Sequence, residues 1–339
     1  MLGFACLALA LLALKAWSSP GMATDRRLDE LARHVVSGGP PKDGIPPVDK
    51  PKFVSAREAE RFLDDGDVVF GVNREGVLRA YPQHILVWHE VVNETSGGSP
   101  VSVTYCPLTG SAIGFSGSFQ GTSTTFGTSG KLLNSNLVMY DRQSDSEWPQ
   151  ILGAAITGPK KGTKLNGFPV VWTTWGRWKA AFPEAEVLSR STGALRAYGT
   201  DPYGSYRRGG TYYQEGGPIF PVLARDARLP DKHVVIGVDH GGQAAAVSKD
   251  ALRKNRFAIL KLAGDDVVVI YDDALDDGLA YRTGGKKFSS RQGQVVDASG
   301  AVWNVWGKSN RGDQLEFVSS FDVMWFAWHA FHPDAEVVR

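Results

Sequence analysis

Cys106 and His89 are the residues of this chain whose types most readily do chemistry. A thiolate beside an imidazole suits a soft or borderline transition metal such as Cu, Zn or Fe. The same pair suits a nucleophilic thiol with a histidine base, so both residues are candidate catalytic groups. Two donors are too few for a metal site, which takes three or four. Met139 and His84 are the weaker candidates to complete it, with Glu90 and Asp141 as further oxygen donors. His84 and His89 stand five residues apart, which at roughly 100° per residue puts them on different faces of a helix. A second group, Glu90, Asn93, Asn136, Asp141, Arg142, Trp148 and Gln150, offers donors and acceptors for a small-molecule ligand.

The elements that must position these residues follow from local patterning. Val101, Val103 and Tyr105 alternate with Ser102, Thr104 and Cys106, and Pro107 and Gly110 follow. That reads as a strand stopping just after the cysteine, with the thiol on its polar side and outside the core. Ser55 with Glu58 forms a capping box ahead of a short helix reaching Leu63. Val68 to Asn73 and Val77 to Tyr81 read as two strands joined by a turn, and Pro82 to Glu94 as a helix. Asn134-Ser135-Asn136 reads as a polar turn, followed by a strand ending in an Asp141–Arg142 ion pair. Gly127-Thr128-Ser129 resembles the start of a nucleophile elbow, but the closing glycine is misplaced. No P-loop, dinucleotide fingerprint or H-E-x-x-H is present.

An internal repeat organises the chain. Val68-Val69-Phe70-Gly71-Val72-Asn73 matches Val234-Val235-Ile236-Gly237-Val238-Asp239, and the same spacing sets Tyr105 on Tyr271. Towards the ends, Trp178 falls on Trp328 and Ala185-Glu186-Val187 on Ala335-Glu336-Val337. The expected fold is α+β and β-dominated, made of two tandem homologous domains. Residues 51–188 form the first repeat and residues 233–339 a second, degenerate one. Residues 24–50 are an approach segment, and residues 189–232 a Gly/Tyr/Arg-rich connection packed over the junction. Cys106 becomes Asp272 in the second copy, His84 becomes Asp250 and His89 becomes Asn255. The chemistry is therefore expected in the first copy, with the second as scaffold. The tryptophan clusters at both repeat ends read as packing.

With 37 basic and 36 acidic residues the charge is balanced, and no basic field invites nucleic acid. Leu2 to Trp17 is apolar apart from Lys15, and Gly21-Met22-Ala23 offers a signal-peptidase site. Residues 1–23 are thus a signal peptide or an N-terminal anchor. The protein is expected to be exported, periplasmic or extracellular, and to meet a membrane only through an uncleaved N-terminus. Cys6 belongs to that segment, which leaves Cys106 without a disulfide partner.

Several stretches together resemble the DUF3179 family of bacterial and archaeal proteins, often exported and of unknown function. They are Asp43-Gly44-Ile45-Pro46, Trp88-His89-Glu90 with Asn93, Thr104-Tyr105-Cys106-Pro107-Leu108-Thr109-Gly110, and Asn134 to Arg142 with Trp148 and Gln150. Arg228-Leu229-Pro230 fits as well. The resemblance implies no activity. Many members carry a second cysteine where this chain has Thr109, so a vicinal dithiol is not available here. His84 also departs from the family pattern. Three readings follow: a metal-binding protein with scope for redox chemistry; a non-catalytic ligand-binding or assembly module whose repeats make a cleft; and a metal-free thiol enzyme.

Overall fold

The computed structural model describes residues 20–119 and 121–339. Most of the expected signal segment, residues 1–19, lies outside them. Strands hold 41% of the residues and helices 12%, so the protein is β-dominated. Among the described residues no helix is long and apolar enough to cross a membrane.

A helix at Pro20–Arg33 spans the end of the expected signal segment and the start of the approach segment. Leu28 and Leu31, three apart, bury one face of it in the core. Its Arg27 donates to the Phe331 carbonyl near the other end of the chain at 2.6 Å. Ser55 caps the short helix Ala56–Ala59 in a complete capping box with Glu58.

One five-stranded sheet runs in the order Val171–Thr174, Val68–Arg74, Val77–Pro82, Glu186–Leu188, Phe53–Ser55. A four-stranded sheet runs Gly167–Phe168, Ser111–Ser116, Ser99–Cys106, Val91–Ser96. Another joins Val36–Ser37, Phe126–Leu133, Asn136–Asp141 and Glu147–Pro149. The later half of the chain builds a seven-stranded sheet in the order Phe257–Leu262, Asp265–Asp272, Asp277–Arg282, Phe317–Met324, Val234–His240, Gln243–Ser248, Glu336–Val338. Beside it lies a three-stranded sheet of Phe288–Arg291, Gln294–Asp297 and Val302–Trp303.

The expected helix from Pro82 to Glu94 is corrected. Only Gln83–Leu86 is helical, and Val91–Ser96 is a strand. Glu90 takes a left-handed backbone (φ 58°), which ends the turn, and β-branched Val91 and Val92 pair with Thr104 and Val103. The Asn134–Ser135 turn holds both residues at positive φ, as a two-residue hairpin between Leu133 and Asn136 requires.

Two glycines are dictated by close approach. A Cβ on Gly71 would lie 2.0 Å from the Trp178 ring, and one on Gly237 would lie 2.4 Å from the Trp328 ring. Each tryptophan is fully buried on a glycine floor. The hydrophobic core crosses the midpoint of the chain. One cluster joins Cys106, Phe126 and Trp148 to Phe321, Trp325 and Trp328, and a second joins Val69 and Trp178 to Val268, Tyr281 and Trp303.

Candidate functional site

Cys106 ends its strand, as its flanking sequence requires, but its side chain is fully buried. This corrects the expectation of a thiol outside the core. Its sulfur accepts the Leu137 N–H at 3.4 Å and lies 3.8 Å from the Ser135 carbonyl, to which the thiol donates. Burial, and next the nearby Glu90, push the thiol up to about 11, so it is protonated at neutral pH.

His89 does not partner it. Nδ1 lies 2.7 Å from the Pro46 carbonyl, and Nε2 lies 2.6 Å from the Tyr198 hydroxyl. A carbonyl can only accept, so Nδ1 carries the proton and Nε2 accepts from Tyr198. Both ring nitrogens are thereby used, and burial lowers the pKa of the ring.

Glu90 is the residue brought to the thiol. Burial pushes its carboxyl up to about 8, and no nearby cation or donor offsets the shift. The tyrosines of the connection close over this pair: burial first raises the hydroxyls of Tyr203 and Tyr212, and next Glu90 and then Cys106 raise Tyr203, while Cys106 raises Tyr212.

The remaining predicted ligand-binding residues do not converge on one pocket. Asn136 donates to Thr109 at 3.0 Å and to Gln150 at 2.9 Å, and accepts the Ile151 N–H. Gln150 in turn donates to Thr104 at 2.9 Å and accepts from Ser111 at 2.8 Å, so this buried network braces the cysteine strand. Asp141 does not pair with Arg142. Its carboxylate accepts the Ser144 and Ser146 N–H groups and the Trp148 indole N–H, tying a turn. Arg142 instead forms a two-pronged pair with Asp49, at 2.6 and 2.9 Å, and Asn93 donates to the same carboxylate. Asp49, Asn93 and Arg142 line a shallow cavity of about 390 Å³. Met139 is buried core. His84 lies apart, at a cavity of about 840 Å³ rich in arginine, with burial lowering its pKa to about 4.

These residues do not fit a Cu, Zn or Fe centre. Both nitrogens of His89 are spent, and among the described residues no three of His, Cys, Asp and Glu gather.

A different site stands at the junction of the two halves. A half-enclosed cleft of about 570 Å³ is walled by Trp172, Thr173, Thr174 and Arg177 on one side, and by Lys249, Arg253, Asp276 and Asp322 on the other. Tyr206, Tyr213 and Lys232 of the connection complete it. Lys249 lies 2.6 Å from Asp322 and 3.1 Å from Asp277, all three buried. Burial works against the Lys249 charge, but Asp277 and Asp322 outweigh it and raise its pKa. Burial and then Asp277 push the Asp322 carboxyl far above the usual range, against the pull of Lys249. The other oxygen of Asp277 accepts the Trp172 backbone N–H at 2.6 Å.

The cleft is hidden in the sequence because the second copy lacks the thiol and imidazoles at the matching positions and so resembles scaffold. A signal was present: at the repeat spacing, Lys249 falls on Gln83 and Asp277 on Ser111, two places where charge replaces a neutral polar residue. No curated protein and no solved structure matches the chain. A family model, described as protein of unknown function (DUF3179), matches residues 42–335. The match spans the cysteine strand, the tyrosine-rich connection and both walls of the cleft, and the chain belongs to the DUF3179 family.

Proposed function

We propose that this protein is an exported, non-catalytic ligand-binding module made of two tandem copies of one α+β unit, with its binding site in the cleft between them. The duplication is supported by the sheets: Val171–Thr174, Val68–Arg74, Val77–Pro82 and Glu186–Leu188 neighbour one another in the same order as Phe317–Met324, Val234–His240, Gln243–Ser248 and Glu336–Val338. It is supported again by the glycine-floored Trp178 and Trp328, and by two turns tied alike, Asp141 to the Trp148 indole and Asp297 to the Trp303 indole. On this reading residues 51–188 and 233–339 are the units and residues 189–232 the connection. Export rests on the apolar Leu2 to Trp17 segment and on Gly21-Met22-Ala23 after it.

The observation that carries the reading is the cleft itself. Its volume of about 570 Å³ falls in the range usual for small-molecule sites, and both units and the connection supply its walls. The enzyme reading is weaker, because a thiol held near 11 has little nucleophilic thiolate and His89 is turned from it. The metal reading is tested by elemental analysis of protein purified without chelator, beside Cys106→Ser.

Trp172 serves as the reporter for the cleft. The protein is labelled with 5-fluorotryptophan, and its ¹⁹F resonance is assigned by Trp172→Phe. A set of neutral and charged fragments should include members that shift this resonance, and Thr174→Trp, which fills the cleft, should abolish the shift. If no fragment of any kind moves Trp172, the cleft is not a binding site.

A further inference from the structure

The geometry points to a small organic oxyanion, a carboxylate or a phosphate, as the ligand of the cleft, held by Lys232 and Arg177. This rests on the cleft being the binding site. The charges that line the cleft pair off unevenly. Asp276 is taken by Arg253, with contacts at 2.8 and 3.1 Å, and Asp250 by the same guanidinium at 3.0 Å. Asp322 is taken by Lys249. Every carboxylate of the lining therefore has its cation.

Two cations are left over. Arg177 donates only to the backbone carbonyls of Asp273 and Ala274, at 2.7 and 3.0 Å. Lys232 is 8% exposed, and its amine nitrogen has no hydrogen-bond partner. A buried ammonium without an acceptor is costly, and an anion is the ligand that would relieve it. Aromatic walls from Trp172, Tyr206 and Tyr213 suit an organic body attached to that anion.

The groups facing the Lys232 amine are few. The Tyr212 ring, 3.1 Å from it to the centroid, comes from the connection, and the Phe326 ring comes from the last helix, at 5.2 Å. Asp231 is the carboxylate that acts on it from its own segment. Burial outweighs Asp231 and lowers the amine to about 7. Anion binding would recharge it, so binding should weaken as pH rises above about 7, towards tenfold per unit.

The test titrates the fluorotryptophan-labelled full chain with benzoate, phenyl phosphate and the neutral benzamide, reading Trp172. Benzoate or phenyl phosphate should bind at least tenfold more tightly than benzamide, and the better of the two separates a carboxylate from a phosphate ligand. Lys232→Met and Arg177→Gln should each weaken that binding at least tenfold, and Lys232→Met should remove its pH dependence. Lys232 makes no hydrogen bond, so its replacement by Met is expected to fold, and a melting curve checks this. Equal binding of benzamide, or anion binding untouched by both substitutions, overturns the oxyanion assignment and leaves the cleft reading standing. If none of the three probes moves Trp172 while other neutral fragments do, the assignment falls alone. If nothing moves it, both fall.

Discussion

At the scale of single residues, Glu90 is a group whose state depends on burial alone. Its carboxyl is uncharged at neutral pH because burial disfavours the anion, and its folded pKa of about 8 stands above the ordinary value of 4.5. A raised carboxyl contributes stability that is fully present below its unfolded pKa and is lost as pH rises through the folded one. The window is therefore about pH 4.5 to 8. Glu90→Gln should leave the stability near pH 4 unchanged and stabilise the protein at pH 9 by roughly 3–5 kcal/mol, since each tenfold change in proton affinity is worth about 1.4 kcal/mol. Denaturant melts at both pH values check it; equal effects at the two would show that the side chain is not uncharged in the fold. Lys232 works in the opposite sense, since its lowered pKa destabilises the fold as pH falls from about 10.5 to 7. Lys232→Met should accordingly flatten the alkaline limb that Glu90→Gln leaves intact.

At the scale of elements, tertiary fit decides more than propensity. The capping box at Ser55 and Glu58 and the paired strands Val68–Arg74 and Val77–Pro82 were legible because their signals are local: a side chain reaching its own helix end, and alternating residues around a turn at Glu75 and Gly76. The end of the Cys106 strand was legible for the same reason. Its burial was not, because the covering tyrosines come from about a hundred residues further on. The Gln83–Leu86 turn was overextended because nothing in Glu90 itself favours positive φ; pairing of Val91 and Val92 with the neighbouring strand imposes it. Adjacency alone suggests an Asp141–Arg142 pair, whereas the turn holds Asp141 and Asp49 holds Arg142. Gly71 and Gly237 offer a direct check on fit. A methyl at either place must displace a buried indole, so Gly71→Ala and Gly237→Ala should each cost about 3 kcal/mol in urea melts. A cost near zero would mean that Trp178 or Trp328 does not lie on its glycine.

At the scale of the whole molecule, the cleft is floored by an ion cluster that belongs to one half and grips the other. Asp277 holds Lys249 within the second half and the Trp172 backbone N–H of the first. Removing the cation leaves two buried carboxyls without it, so Lys249→Met should cost about 3–5 kcal/mol. Adding Asp322→Leu should recover part of that loss, because it removes one of the two buried carboxyls left without a cation, Asp277 remaining. Chemical melts of the single and double substitutions decide this. If the double substitution is no better than the single, Lys249 and Asp322 are not coupled.

The core that crosses the midpoint of the chain has a consequence for cooperativity. Trp325 and Trp328 pack in one cluster with Cys106 and Trp148, and Trp178 packs in one with Tyr281 and Trp303. Each half thus completes part of the interior of the other, beside a cluster that each builds alone, unlike beads on a string, each of which could melt alone. Hydrogen exchange should find the slowest amides of Val68–Arg74 and Val234–His240 opening together, in one global event. Two separate openings would mean that the shared core does not couple the halves. A chain cut at the connection would open the two shared clusters at once and leave each half only the cluster it builds alone, around Phe70 and Tyr105 in the first and Val238 and Val269 in the second, so a change at a shared position in one half is felt in the other.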